Sequence, residues 1–230
     1  MFGIDPLYIA MILPVLLFSM WASVKVKSSF SKYSKIPASS GMTGKDTAEY
    51  ILRANGLAHV KVVKASGFLS DHYDPTRKVL RLSPDVYRGN SLSAVGVACH
   101  EAGHALQHAN SYGPLMLRTA LVPVTSISSS LAFYVVAAGF LFRPLLLVGC
   151  AMFAVAFLFS LVTLPVEWNA SARAKQHLVT SGIVSPGQEA EAGRVLNAAF
   201  LTYLAAAVSS LITLLYYLAR AGVIGGGRRD

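Results

Sequence analysis

The sequence predicts a mainly α-helical membrane protein with about four transmembrane helices and a small α+β unit built from its polar stretches. Three observations predict it. Hydrophobic residues make up 54% of the 230 positions and charged residues only 13%, about half the charged share of an ordinary soluble domain. Four stretches are long and apolar enough to cross a hydrocarbon core, which takes about 20 helical residues. Between the first and second of these, the apolar pattern gives way to short alternating runs and turn residues.

The first apolar stretch runs from Leu7 to Val24. No Lys or Arg precedes it, and Lys25, Lys27, Lys32 and Lys35 follow it, so it reads as a retained anchor rather than a cleaved signal peptide. Thr43 or Asp46 can cap a helix over Gly44 to Ala54, with Ala48, Ile51 and Leu52 as its apolar stripe. His59 to Lys64 alternates as a strand does, and Lys78 to Leu82 is a second short strand, with a turn at Asp71 to Pro75 between them. Ser91 caps a helix that runs through Val95 and Ala98 to about Ala109.

The second span, Ala120 to Phe142, contains Thr125, Ser126, Ser128, Ser129 and Ser130, whose hydroxyls can bond to backbone or to neighbouring helices. Arg143 and Pro144 interrupt the chain before the third span, Leu145 to Leu164, so the two should form an antiparallel hairpin. At Leu164-Pro165-Val166-Glu167 a span ends and a new helix is expected to start at the surface. The fourth span is Ala198 to Leu218. The chain thus divides into an anchor (1–24), a polar segment (25–119), a hairpin (120–164), a second polar segment (165–197) and a last span with a basic tail (198–230).

Lys and Arg total 20 against 11 acidic residues. Thirteen of them lie in residues 25–119 and three in residues 165–197, which by the positive-inside rule puts both polar segments in the cytoplasm, although Arg228 and Arg229 argue mildly the other way. The positive charge flanks apolar segments rather than forming an aromatic-interleaved stripe, which argues against a nucleic-acid partner. Cys99 and Cys150 sit in such different contexts that a structural disulfide is not expected, and reducing surroundings fit.

The Ser91 helix carries Cys99-His100-Glu101-Ala102-Gly103-His104, a His-Glu-x-x-His pattern. Positions i and i+4 share a helix face about 6 Å apart along the axis, so two imidazoles can grip one ion. Zinc suits such nitrogens, and a catalytic zinc site keeps one position for water, which Glu101 is placed to activate as general base. The bland alternative is an amphipathic helix with solvated polar residues. Against it, three of the chain's six His fall within nine positions of a helix otherwise rich in Ala, Val and Leu.

A third ligand has to come from elsewhere. His108 lies eight residues from His100, about 12 Å along the axis, and cannot share its ion. The extended pattern with a third His is excluded, because Gln107 and Asn110 occupy its Gly and His positions. A downstream carboxylate remains: Glu189 and Glu191 open a later helix, where the dipole explains them. Local sequence leaves Glu167 evenly balanced between ligand and ordinary first-turn acid.

With these residues, and with Leu69 to Pro75, Leu164 to Ala174 and Val195 to Tyr203, the chain resembles the YugP-like family of bacterial membrane neutral zinc metallopeptidases, within the zincins that use two His and a downstream Glu. The likeness covers nearly the whole chain. It implies a small α+β zincin-like catalytic unit, which the charge distribution puts at the cytoplasmic face of a bacterial cytoplasmic membrane, with zinc as cofactor and polypeptides as substrates, membrane proteins being one candidate class among them. It implies His100, His104 and Glu167 as metal ligands and Glu101 as base. Related membrane zincins carry an acidic residue shortly after the ligand Glu to orient an imidazole. Asn169 and Ser171 stand there instead and could accept from an imidazole N–H without supplying charge. Arg173 or His177 could stabilise an oxyanion, though a surface Arg and an exposed His are the plainer readings. In zincins the strand before the metal helix pairs with extended substrate, which would be Lys78 to Leu82 here; an ordinary edge strand blunted by Lys78 and Arg81 is the alternative.

Two other functions compete. An intramembrane-cleaving metalloprotease is disfavoured by Arg81, Asp85, Arg88 and Asn90 leading into the metal helix. A membrane scaffold or transporter with an incidental motif predicts no bound zinc and indifference to Glu101.

Overall fold

A computed structural model describes residues 5–224, so Arg228 and Arg229 lie outside the described residues. In chain order the elements are helices α1 (Pro6–Tyr33) and α2 (Gly44–Ala54), strands β1 (Lys61–Lys64), β2 (His72–Asp74) and β3 (Val79–Leu82), and helices α3 (Pro84–Arg88), α4 (Leu92–Ala109), α5 (Gly113–Gly139), α6 (Arg143–Thr180) and α7 (Pro186–Arg220). Helices α1, α5, α6 and α7 are each long and apolar enough to cross a membrane, as the sequence predicts. The chain forms two compact units, one of residues 1–22, 117–164 and 202–230 and the other of residues 23–116 and 165–201.

The first unit exposes large apolar side chains, among them Leu17, Ile127, Phe133, Leu141 and Leu158. Such a surface suits lipid, because it offers hydrocarbon no polar group to satisfy. Within it α5 and α6 are joined by residues 140–142 only, giving the predicted hairpin. Pro144 falls in the first turn of α6, where its missing N–H costs nothing. The hairpin closes tightly: a Cβ at Gly139 would stand 2.6 Å from the Leu146 backbone nitrogen, the close approach that small residues permit between membrane helices. The Ser130 hydroxyl donates to the Ser126 carbonyl at 2.8 Å, so this span satisfies that hydroxyl within its own helix.

In the second unit α2 starts with a reciprocal cap: Thr43 Oγ1 accepts from the Asp46 N–H at 3.1 Å and Asp46 Oδ2 accepts from the Thr43 N–H at 3.3 Å. Its stripe of Ala48, Ile51 and Leu52 is buried. Ser91 caps α4 by accepting from the Ala94 N–H. One apolar core joins α2, Leu80 and Leu82 of β3, Val86 of α3, Val95, Ala98 and Ala102 of α4, Leu178 of α6 and Val195 of α7. Helix α4 is therefore buried along most of its circumference, which holds its polar residues in fixed positions.

Three expectations are corrected. The segment Asp71 to Pro75 is not simply a turn, because His72–Asp74 forms strand β2. Tyr73 anchors it, its hydroxyl lying 2.9 Å from Nδ1 of His108 on α4. The turn follows instead, with Asp74 Oδ1 accepting from the Thr76 and Arg77 N–H groups and Lys78 at φ 52. Strand β3 is not an edge: the order is β1-β3-β2, with β1 parallel to β3 and β2 antiparallel to it, so both of its sides are paired. Finally, no helix starts afresh at Pro165, because α6 runs unbroken through it. A proline inside a helix removes one backbone bond and crowds one carbonyl, and long membrane helices tolerate that.

Candidate metal centre

Helix α4 and the stretch of α6 after Pro165 lie against each other at Gly103. A Cβ there would stand 3.0 Å from the Ala170 carbonyl oxygen and 3.4 Å from its Cα, so the helices meet backbone to backbone. One turn either side of that contact sit the residues that the sequence singles out. Gly103→Ala should push the helices apart at this level, costing about 1–3 kcal/mol by overpacking, and a thermal unfolding series with Gly103→Ala and Gly103→Val should show progressive loss.

The contact brings His100, His104 and Glu167 together, with one ligand atom from each within 4.8 Å of the others. Glu167 Oε2 lies 3.1 Å from His100 Nε2 and 3.6 Å from His104 Nε2. Donors held at 2.0–2.1 Å by one tetrahedral ion stand about 3.3–3.4 Å apart, so these spacings and this donor set fit zinc. The cluster is shielded from solvent on most sides, with Glu167 1% and His104 7% exposed and the His100 side chain 12% exposed. Ionisable groups are buried in such company only when something compensates them.

The imidazoles turn their Nδ1 atoms outward to fixed partners. His104 Nδ1 lies 3.0 Å from Gln107 Oε1, while Gln107 Nε2 donates to the Val166 carbonyl at 2.8 Å and to Asn169 Oδ1 at 3.0 Å. The Val166 carbonyl can only accept, which fixes the orientation of the Gln107 amide and leaves its oxygen to His104. A neutral His104 ring would then carry its proton on Nδ1 and leave Nε2 free for a metal ion, whereas against the opposing effect of burial Glu167 raises the ring's pKa and favours a proton on both nitrogens. His100 Nδ1 lies 3.2 Å from Ser171 Oγ. Asn169 also accepts from Arg173 Nε at 2.9 Å, so Arg173, Asn169 and Gln107 form one chain of hydrogen bonds behind His104. His177 is half-buried on the same unbroken helix, ten residues from Glu167, about 15 Å along the axis.

Glu101 is 7% exposed. Burial pushes its carboxyl above the usual carboxylate range and the charge on Glu167 adds to this, against the pull of His104 and His100. No group among the described residues donates a hydrogen bond to it. Asp71 adds its own charge nearby, with its carboxylate accepting from the Ser83 N–H at 2.7 Å and the Ser83 hydroxyl at 3.0 Å. Cys99, one residue before His100, is buried and free, and burial raises its thiol well above the ordinary range, so it stays protonated and outside the ligand set. His108 bonds Tyr73 and is not part of the cluster.

Gln107 is the residue that sequence reasoning missed. It appears in the motif only as a departure from a longer pattern, yet a buried amide three residues beyond His104 lies on the same helix face and can accept from its ring. That spacing was the available signal.

No solved structure matches this chain. A protein of Bacillus subtilis (strain 168) named "Putative membrane protease YugP" is 50% identical over 214 residues, which is 92% of this chain and 95% of that protein. A family model described as "Putative neutral zinc metallopeptidase" matches residues 8–222. With nearly its whole length matched, the chain belongs to the family that carries this description.

Proposed function

We propose that the protein is a membrane-embedded zinc-dependent endopeptidase of the zincin type, with His100, His104 and Glu167 as metal ligands and Glu101 as general base. The observation that carries this reading is the buried convergence of two imidazole Nε2 atoms and one carboxylate oxygen. The family description and the name of the Bacillus relative support it.

Zinc held there supplies a Lewis acid for the scissile carbonyl and lowers the pKa of water towards ~7. Glu101 takes the proton from the attacking water and returns it to the leaving amine as the C–N bond breaks. A carboxylate with no other hydrogen bond, raised by burial, is matched to that exchange. Gln107 and Ser171 hold the rings of His104 and His100 with Nε2 turned towards Glu167, where the three would hold zinc. Arg173 donates to Asn169 behind His104 and His177 lies about 15 Å from Glu167 along the axis, so neither residue is assigned the oxyanion role.

Polypeptides are the substrate class. Because β3 is paired on both sides, an extended substrate would add to β2, which β3 pairs on one side only and whose Tyr73 touches α4. The thirteen Lys and Arg of residues 25–119 support a cytoplasmic catalytic unit. Loops next to transmembrane segments are then within reach of the site.

Gln107→Ala should lower zinc affinity about 10–100-fold by freeing His104 Nδ1, measured by competition with a calibrated chelator. The function itself is tested with detergent-purified protein on casein and on a membrane protein. Cleavage that a zinc chelator stops and added zinc restores is expected. Protein that purifies without metal and takes up none would leave the scaffold reading in its place.

A further inference from the structure

A groove of about 750 Å3 lies between α1 and α7 on residues of the second unit. On α1 it is lined by Lys25, Ser28, Ser29 and Lys32, with Tyr33 closing one end, and on α7 by Arg194, Asn197, Ala198 and Leu201. Each set has the spacing i, i+3, i+4, i+7, which places it on a single helix face. Two helices that face each other through such stripes ordinarily bury apolar side chains there. Here the α1 stripe is Lys and Ser with the Tyr33 ring at its end, and among the described residues no acidic side chain lines the groove.

The chemistry changes along the groove. Arg194 Nη1 donates to the Tyr33 hydroxyl at 3.1 Å, which ties the cationic end of α7 to the end of α1. Lys32 Nζ stands 5.3 Å from the centre of the Tyr33 ring. Lys175 on α6 donates to Asn197 Oδ1 at 3.3 Å, leaving the Asn197 amide its N–H donors and bringing a fourth cation close. Glu191, one turn before Arg194, is the acidic group whose charge bears on it. At the other end Ala198 and Leu201 are apolar, and within their own helices Lys25 directly follows the apolar run of α1 while Leu201 leads into that of α7.

We propose that this groove binds the headgroup of an anionic phospholipid. Lys25, Lys32 and Arg194 supply the charge for a phosphodiester, with Arg194 able to offer paired N–H donors and the lysines acting as point charges. Ser29 and Asn197 supply neutral hydrogen-bonding groups, while the Ser28 hydroxyl donates to the Lys25 carbonyl of its own helix at 3.1 Å. The glycerol and first acyl carbons then lie on Ala198 and Leu201, at the level where both helices become apolar. A basic pocket between membrane helices on the cytoplasmic side is where such headgroups are held. A free phosphate ion would satisfy the cations but leave that apolar end unused.

The test is equilibrium retention of phosphatidylglycerol, against phosphatidylcholine, by the full-length protein in mixed micelles, read by native mass spectrometry. Wild type should retain phosphatidylglycerol selectively, and K25Q/K32Q/R194Q should bind it about 10–100-fold more weakly. The charge-matched K27Q/K35Q/R53Q, whose residues lie outside the groove, should bind like wild type. Because the wild-type comparison needs no mutant, a triple variant that fails to fold leaves the proposal testable. No selectivity in wild type, equal loss in both triple variants, or full displacement by millimolar inorganic phosphate would each overturn it.

Discussion

Glu101→Gln is expected to reduce cleavage by about 10²–10⁴-fold, the range for removing a positioned general base, while zinc content stays at the wild-type level. The amide has the same shape as the carboxylate but cannot take a proton from water. It also removes a charge from a place where burial opposes one, so the unfolding temperature should hold or rise. That combination separates a chemical role from a structural one. Steady-state cleavage, metal analysis and thermal unfolding on one preparation check it, and equal activity of Glu101→Gln and wild type would remove Glu101 from the mechanism.

Glu167→Ala has the second large effect, on metal rather than on proton transfer. Glu167 is almost completely buried, and its Oε2 is the atom that both imidazole Nε2 groups approach. Losing it should weaken zinc by more than the roughly 10–100-fold typical of a supporting hydrogen bond, and activity should fall with it. Glu167→Gln keeps the volume but offers a neutral amide oxygen, so it should also lose zinc while unfolding closer to wild type than Glu167→Ala. Zinc competition titrations on both variants give the answer. If Glu167→Gln retained wild-type affinity, the carboxylate would be no more than a structural partner of the two His.

The parts of this molecule that were legible in the sequence are those set by short-range chemistry. Ser91 with the residues after it announces α4, and Thr43 with Asp46 announces α2, because caps act over three or four positions. His100, Glu101 and His104 are legible for the same reason: their spacing alone puts them on one turn. What the sequence did not show depends on long-range partners. Strand β2 is only three residues long and flanked by the turn formers Ser70, Asp71 and Pro75, and it is held by β3 and by His108 from another element. The central place of β3 rests on parallel pairing with β1, across a connection that itself contains β2. Pro165 reads locally as a helix end, yet α6 carries it without a break. Its continuity sets the register that points Glu167, Asn169 and Ser171 at α4 together. Elimination could only bring Glu167 to an even balance, and the Gly103–Ala170 approach is what puts it against the two His.

Two imidazoles and a carboxylate holding one zinc ion have a spectroscopic signature of their own. Its most direct measurement is zinc K-edge X-ray absorption on Glu101→Gln protein carrying one equivalent of zinc, recorded beside Glu167→Gln. Two imidazole nitrogens and only oxygen besides are expected, at about 2.0–2.2 Å, with the oxygen shell altered or the metal lost in Glu167→Gln. A sulfur shell at about 2.3 Å, or an unchanged spectrum in Glu167→Gln, would contradict it.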